Sequence, residues 1–258
     1  MSTGTPSPHD RVLREHFGIA PAPGQLVVAL AGNPNVGKST VFNALTGLRQ
    51  HTGNWPGKTV DNAQGLFTYQ DQNFLLVDLP GTYSLLAHTV EEEVARDFIC
   101  FGRPDVTLVV LDATCLERNM NLALQVMEIT PNVVVCVNLI DEAKKKNIQV
   151  NIAALEQELG VPVVAAAARS REGLDNLLAA LYAVARGVRR TAPRQISYSP
   201  EIEAAISLLL SKIERLNCDK LPARWIALRL LDGDQRFIDI ISRYLELNSL
   251  PPGKEAVG

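Results

Sequence analysis

The sequence predicts an α/β domain with a mostly parallel sheet, followed by a small domain made only of helices. Between residues 26 and about 185, six short apolar runs alternate with amphipathic helical patterns, as expected for parallel strands covered by helices on both faces. Several of these runs are followed directly by polar motifs, so we expect functional residues at the carboxyl ends of the strands. Beyond a polar, proline-containing linker at 186–199, only helical patterns occur. We therefore expect a loose leader at 1–25, in which the charged piece 10–17 could form a turn of helix, the α/β domain at 26–188, the helical domain at 189–250 and a loose tail at 251–258.

Composition is that of an ordinary globular protein. The chain has 258 residues, of which 47% are hydrophobic and 21% charged, with a formal net charge of −3. This balance gives no electrostatic reason to expect nucleic-acid binding. No apolar run approaches the roughly 20 residues of a transmembrane helix, and the N-terminus lacks the apolar core of a secretory signal. The four cysteines are scattered in apolar surroundings, which favours reduced core thiols over disulfides or a metal site.

The first strand, predicted at 26–31, leads into a glycine-rich turn and then a helical pattern that runs to about Leu45. In this context backbone N–H groups surround a phosphate, and the helix N-terminus adds a partial positive charge. Lys38 can reach the β- and γ-phosphates and the Ser39 hydroxyl can ligate Mg²⁺, so we expect both side chains to point at the ligand rather than into the core. A turn that merely needs glycine is the alternative, and the full GxxxxGKS spacing disfavours it. The motif consists of Gly32, Asn33, Pro34, Asn35, Val36, Gly37, Lys38 and Ser39.

Two further segments are candidates for sensing a γ-phosphate. The stretch 47–57 is polar and glycine-rich, and a loop of this length is usually functional. After it, Thr59 is either a second Mg²⁺ ligand or simply the start of a strand, and Trp55 is compatible with a plain hydrophobic anchor for the loop. The third strand ends in Asp78-Leu79-Pro80-Gly81. At this distance from a phosphate loop, Asp78 can hold Mg²⁺ through water and the Gly81 N–H can meet the γ-phosphate.

A base-recognition motif follows the fifth strand, which is predicted at 133–137. Its residues are Asn138-Leu139-Ile140-Asp141. A carboxylate at Asp141 can accept hydrogen bonds from the guanine N1 and 2-amino group, which adenine lacks, and so would select GTP over ATP. Asn138 would brace the loop and contact N7, although a strand-end Asn that only caps a loop is the alternative. Residues 144–146 are three lysines, expected to form a solvated turn.

Taken in order, GNPNVGKS, Thr59, DLPG and NLID resemble the motifs of the small GTPases of the translation-factor-like class. Three stretches narrow the resemblance. Asn54–Val60 (NWPGKTV) and the DLPGTYSL sequence at 78–85 are similar to switch I and switch II of the bacterial ferrous-iron transport protein B family. The EEEVARDF sequence at 91–98 is similar to the helix that follows. The resemblance covers about 26–250, and in that family this part precedes a polytopic membrane domain that moves Fe²⁺.

The resemblance implies a Ras-like P-loop GTPase fold with a GDI-like helical domain. It implies slow hydrolysis of GTP to GDP and phosphate at the cytoplasmic face of the bacterial inner membrane, with the membrane domain as partner, possible homo-oligomers and no nucleic acid. The implied catalytic residues are Asn35, Lys38, Thr59 and Gly81. Mg²⁺ would be held by Ser39, Thr59 and Asp78, and an activating K⁺ by Asn35 and the carbonyls near Gly53 and Trp55. The remaining implied nucleotide contacts are Gly57, Lys58, Val60, Leu79, Pro80, Leu139, Ile140, Ala167, Ala168 and Arg169.

Three positions depart from the usual motifs. Leu139 stands where the base motif usually has Lys, and Ala167 where many members have Ser, which leaves the base contact of this loop to the Ala168 N–H. Thr82 stands where many GTPases carry a Gln that orients the attacking water, and it is too short for that role. Hydrolysis is therefore expected to be slow or assisted by backbone groups, a cation or a partner. For Asn35, a residue that only braces the loop is the alternative to a K⁺ ligand.

Two other functions compete with the transporter assignment. A free-standing ribosome- or RNA-associated GTPase also carries GxPNVGKS, but it would be expected to have NKxD and a basic appendage. The NLID sequence and the net charge of −3 favour the transporter. A nucleotide-sensing interaction module with negligible catalysis is the third possibility, and turnover assays would separate it.

Overall fold

The structure is a computed structural model that describes residues 13–47, 50–86, 88–213, 221–233 and 237–242. The chain divides into two compact units, Met1–Arg194 and Gln195–Gly258. The division lies a few residues beyond the predicted boundary at 188, because Ala192 and Arg194 donate backbone hydrogen bonds to Gly160 and Leu159 of the first unit. The predicted loose tail at 251–258 lies outside the described residues.

The first unit is built on a seven-stranded sheet with the spatial order β2-β3-β4-β1-β5-β6-β7. The strands are β1 (Leu26–Gly32), β2 (Gln50–Asn54), β3 (Asp61–Tyr69), β4 (Gln72–Asp78), β5 (Val106–Asp112), β6 (Val133–Asn138) and β7 (Val163–Ala165). The strand pairs β2–β3 and β3–β4 are antiparallel, and the other pairs are parallel. The predicted mostly parallel α/β fold is thereby confirmed.

The prediction of six strands missed β2, which lies inside the expected loop at 47–57. This strand has the sequence QHTGN and its residues 51–54 are exposed, so it carries no apolar alternation. It pairs with β3 from Gln50↔Gly65 to Asn54↔Asp61. The strand therefore forms through backbone pairing at the edge of the sheet, which sequence periodicity does not report.

Helices cover the sheet. They are α1 (Lys38–Thr46), α2 (Val90–Phe101), α3 (Leu116–Ile129), α4 (Ile140–Lys145), α5 (Ile152–Leu159) and α6 (Leu174–Ala185). Every residue of β1 and β6 is buried, which requires cover on both faces of the sheet. The core on one side combines Val41 and Phe42 of α1 with Leu177 and Leu181 of α6. Since α1 follows β1 directly, this packing fixes where its N-terminus meets the sheet edge.

Within the expected loose leader, residues 13–19 are packed against the first unit and include the turn of helix considered there, while residues 1–12 lie outside the described residues. Residues 13–16 are helical. Leu13, Arg14 and Ile19 are buried, the last with an exposed fraction of 0%. The Arg14 guanidinium contacts the Asp105 carboxylate at 3.1 Å. The segment is ordered by partners far along the chain, which a local reading of Pro, Gly and Ser content does not show.

The elements described in the second unit are all helices, as predicted. Its helices are α7 (Pro200–Ile213) and α8 (Ala223–Leu231), and residues 237–242 are also helical. Arg224 donates to both carboxylate oxygens of Glu203, at 2.7 and 2.6 Å.

Candidate nucleotide-binding site

The predicted motifs meet at the carboxyl edge of the sheet, because their strands are neighbours. Strand β1 lies between β4 and β5, so the phosphate loop at 32–39 lies beside the segment after β4. The Leu79 N–H donates to the Leu30 carbonyl at 3.0 Å, and the Thr82 N–H donates to the Gly32 carbonyl at 3.3 Å. A Cβ at Gly81 would lie 3.4 Å from the Pro34 backbone. The phosphate loop and the segment after β4 are therefore in direct contact.

The phosphate loop adopts a left-handed conformation at two positions. Gly37 has φ +81° and caps the N-terminus of α1. A Cβ at this position would lie 2.4 Å from the Asn138 Nδ2 atom, so glycine is required by both conformation and space. Asn35 has φ 68°, which Asn tolerates better than most residues, and it is exposed. The amide of Asn35 is therefore available to a ligand.

Asn138 joins the phosphate loop to the two segments expected to contact the base, 138–141 and 167–169, here called the base loops. It lies at the end of β6 and has an exposed fraction of 1%. Its Nδ2 donates to the Val36 carbonyl at 3.0 Å, and its Oδ1 accepts from the Ala168 N–H at 3.1 Å. The expected bracing role of Asn138 is thus seen, whereas its contact with guanine N7 stays a prediction. The Ala168 N–H, expected to contact the base, already has a partner here, so a base contact would have to share it.

Asp141 lies in a short helix that the sequence analysis did not anticipate. Helix α4 includes Asp141 and two of the three lysines expected in a solvated turn. Leu139 precedes it with φ 59°, and the Ile140 N–H donates to the Ala166 carbonyl at 3.2 Å. The two base loops are therefore tied together by backbone as well as by Asn138. In the second base loop, 167–169, Ala167 is buried and Arg169 is exposed.

Lys38 is paired within the protein. Its Nζ donates to the Asp78 Oδ1 atom at 2.5 Å and to the Leu79 carbonyl at 2.7 Å. The Lys38 side chain is 12% exposed and the Asp78 side chain is 19% exposed. Burial raises the pKa of Asp78, and the charge of Lys38 opposes this. The expectation that Lys38 only points at a ligand is therefore incomplete, since in this structure it also neutralises a largely buried carboxylate.

The oxygen donors at this edge fit a magnesium ion. The Asp78 carboxylate and the Ser39 hydroxyl belong to β4 and α1, which flank the phosphate loop. Magnesium binds through one or two protein oxygens together with water and substrate phosphates. Among the described residues, no group of three or more His, Cys, Asp or Glu could hold a metal by itself. The donor set therefore suits an ion that arrives with a nucleotide.

The segment 50–60, here called the switch I segment, forms the edge strand β2 and the turn that follows it. Gly53 pairs with Asn62 in the β2–β3 hairpin. Strand β2 is the third neighbour of β1, about 14 Å away at ~4.8 Å per strand. The Trp55 carbonyl accepts from the Lys58 N–H at 3.0 Å, and Thr59 is exposed in the same turn. Gly53 and Trp55 are thus held within this hairpin and its turn, and the roles of Thr59, Gly53 and Trp55 as ion ligands stay predictions.

Helix α3 contributes residues that the sequence analysis missed. The Leu85 N–H donates to the Gln125 Oε1 atom at 2.6 Å, and the Asn121 Nδ2 atom donates to the Tyr83 carbonyl at 3.4 Å. The Arg118 guanidinium lies 4.8 Å from the centroid of the Tyr83 ring. These α3 residues are spaced by three and four positions, so they share one helix face. The spacing of these polar residues is the one feature of the sequence that could have indicated their shared role. Through them, α3 supports the segment after Gly81.

The fold and the meeting of these loops define a P-loop GTPase domain followed by a helical domain. The family described as "Ferrous iron transport protein B" matches residues 26–181, and the family described as "FeoB cytosolic helical domain" matches 198–253. The chain therefore belongs to the ferrous iron transport protein B family, as the sequence motifs predicted.

Relatives and solved structures agree with this assignment. A Fe(2+) transport protein A/Fe(2+) transporter FeoB fusion protein of Porphyromonas gingivalis is 41% identical over 212 residues, which is 81% of this chain and 25% of the relative. The Fe(2+) transporter FeoB of Methanocaldococcus jannaschii is 39% identical over 89% of this chain and 34% of its own length. The chain thus spans about a quarter to a third of these relatives.

The similar structures include cytosolic domains of the T. maritima FeoB iron transporter. One GDP form is 36% identical with a TM-score of 0.75, covering 90% of this chain and 88% of that one. A GMPPNP form is also 36% identical, with a TM-score of 0.74 and coverage of 89% and 88%. Within the described part of the present chain, we find no helix with the length and apolar character needed to span a membrane.

Proposed function

We propose that this chain binds GTP with Mg²⁺, hydrolyses it slowly with the help of K⁺, and acts as the regulatory G domain of a prokaryotic Fe(II) membrane transporter. The relatives are named Fe(2+) transporters, and the similar structures include GDP and GMPPNP forms. The observation that carries the proposal is the Asn138 side chain, which ties the phosphate loop to the base loops at 3.0 and 3.1 Å. A single buried residue thus sets the separation of two subsites that one nucleotide would occupy.

Guanine selection would rest on Asp141. The loop that carries it is fixed to the phosphate loop through Asn138 and to Ala166 by backbone. The backbone that would present the carboxylate is therefore fixed by contacts within the protein. The two hydrogen bonds from guanine to this carboxylate would be stronger than hydrogen bonds between neutral groups, because the acceptor is charged.

Phosphate binding would require Lys38 to exchange partners. Its ammonium contacts Asp78 and the Leu79 carbonyl, and both lie beside the loop that would hold the phosphates. Magnesium, when bound, would supply a positive charge next to Asp78 and replace the one that Lys38 gives up. This exchange couples nucleotide binding to the charge balance of a largely buried carboxylate.

Assistance by potassium fits the residues present. Thr82 is buried with its N–H on the Gly32 carbonyl, so it does not replace the missing glutamine. A potassium ion beside the β- and γ-phosphates would supply positive charge where negative charge develops. Asn35 presents an exposed amide on the phosphate loop, and a neutral oxygen of this kind suits such an ion. The switch I segment would have to move from its hairpin to complete the site.

The place of the chain in a larger protein is part of the proposal. Because it spans only a fraction of its relatives, we propose that it lies at the cytoplasmic face of the membrane, next to a polytopic domain that carries Fe²⁺. Its nucleotide state would then be communicated to that domain.

A titration with mant-GDP tests the assignment of the base site. Replacing Asp141 with Ala removes the acceptor for two guanine donors, which costs roughly 2–4 kcal/mol for charge-assisted bonds, or about 30- to 900-fold in affinity. Glu142→Ala is the matched control, because Glu142 pairs with Lys145 near the surface. If Asp141→Ala bound mant-GDP as tightly as the parent protein, the base site would be misassigned.

A further inference from the structure

The N-terminal segment contributes an aromatic ring to the switch I segment. Phe17 packs edge-on against Trp55, with ring centroids 6.3 Å apart, and against Phe98 of α2 at 5.5 Å. Trp55 and Phe98 are themselves 5.3 Å apart. These three rings, here called the aromatic cluster, join residues from three separate parts of the chain. Trp55 is only 2% exposed as a result.

Phe17 is held at its position from both sides. Before it, the buried Arg14 donates to the Arg103 carbonyl and pairs with Asp105. After it, the Gly18 carbonyl accepts from the Gln64 side chain at 3.2 Å. A Cβ at Gly18, where φ is +69°, would lie 3.4 Å from Pro56. The ring is therefore presented to Trp55 by an anchored backbone.

Packing of rings is what holds the Trp55 side chain. Its indole Nε1 atom is buried and has no hydrogen-bond partner among the described residues. The Trp55 backbone closes the turn of the hairpin, since its N–H donates to the Val60 carbonyl at 2.9 Å. Anchoring the indole thus anchors the turn that contains Thr59.

We propose that Phe17 is a positioning residue that keeps the switch I segment in its hairpin by holding Trp55. The consequence for turnover rests on the proposed function. For the Trp55 carbonyl to approach Asn35, the switch I segment must leave the β2–β3 hairpin, and this motion breaks the contact between the Phe17 and Trp55 rings. The N-terminal segment therefore opposes closure and raises the K⁺ concentration at which closure occurs.

Fluorescence of Trp55 tests the contact without any nucleotide. The chain has two tryptophans, and Trp225→Phe in the helical unit leaves Trp55 as the single fluorophore. In that background, Phe17→Ala is expected to shift Trp55 emission to the red and to raise the acrylamide quenching constant at least about twofold, because one wall of the cluster is lost. Phe17→Tyr, which keeps the ring, is expected to restore the parent value.

His16→Ala is the matched control, because the exposed His16 ring contacts Phe17 at 5.6 Å and is not part of the cluster. Its quenching constant is expected to equal that of the parent. Phe17→Leu, which retains apolar volume without the ring, serves if Phe17→Ala melts early in circular dichroism, and the same direction of change is expected. The proposal would be overturned if quenching were unchanged in Phe17→Ala and Phe17→Leu, or if His16→Ala raised the quenching constant as much as they do.

Turnover provides the second measurement. Phe17→Ala removes the contact between the Phe17 and Trp55 rings. If this contact stabilises the hairpin as much as a typical aromatic pair does, the half-activating K⁺ concentration should fall about two- to tenfold. An unchanged or higher half-activating concentration would overturn the role in closure. If the parent shows no GTP turnover while quenching responds to Phe17→Ala, the proposed function fails and the anchoring of Trp55 by Phe17 stands.

Discussion

Replacing Asn138 with Ala perturbs the one side chain that joins the phosphate and base loops. The side chain is 1% exposed and makes hydrogen bonds of 3.0 and 3.1 Å to the Val36 carbonyl and the Ala168 N–H. Both of those residues are buried, so the substitution leaves a carbonyl and an N–H without partners. Each orphaned group costs about 1–3 kcal/mol. We expect a loss of roughly 2–6 kcal/mol in the free energy of unfolding.

This loss converts to a fall in melting temperature of roughly 4–24 °C for a domain of this size. Circular dichroism melts without nucleotide would measure it, and a mant-GDP titration would report the accompanying loss of affinity. The matched control is Asn132→Ala, since the Asn132 side chain donates one exposed hydrogen bond, to the Asp105 carbonyl at 3.2 Å, and its loss should change the melting temperature by less than about 2 °C. An Asn138→Ala protein that melted within 2 °C of the parent would show that the two loops are not held together in this way.

Two further predictions concern charged and hydroxyl groups. Ser39→Ala and Lys38→Ala are both expected to abolish GTP hydrolysis, but only Lys38→Ala should lower the melting temperature, because it leaves the Asp78 carboxylate without its cation. Adding Asp78→Asn should recover part of that loss, and equal melting of both single variants would contradict the reasoning. In the helical unit, hydrogen bonds from Arg224 and from the Tyr198 N–H lower the pKa of Glu203 from 4.5 to about 2. Its stabilising contribution is therefore present above pH 4.5 and lost as the pH falls through about 2. A series of melts should show the stability advantage over Glu203→Gln shrinking across that range, whereas an advantage independent of pH would contradict this.

The sheet and the order of the loops were predictable because their signals are local. Buried parallel strands such as β1 and β6 have apolar sequences up to their last residue, and Gly37 occupies a position where both conformation and space exclude a side chain. Motif spacing along the chain then fixes which strand ends carry the site. These features need only neighbouring residues to be recognised.

The remaining features depend on partners distant in sequence. Phe17 is ordered by Trp55 and Phe98, and nothing within the leader itself reports that contact. Strand β2 forms through backbone pairing with β3, although its own residues are polar. The pairing of Lys38 with Asp78 was missed because the motif was interpreted only through its ligand. In each case tertiary contact overrides the local signal.

Potassium-assisted GTP hydrolysis is the central claim, and turnover in matched KCl and NaCl tests it most directly. The parent protein should hydrolyse GTP faster in KCl, and Asn35→Leu should lose that difference because it removes the exposed amide on the phosphate loop. Asn176→Leu, an exposed position on α6, is the matched control and should keep the difference. Equal parent rates in the two salts, or full K⁺ stimulation in Asn35→Leu, would contradict the account.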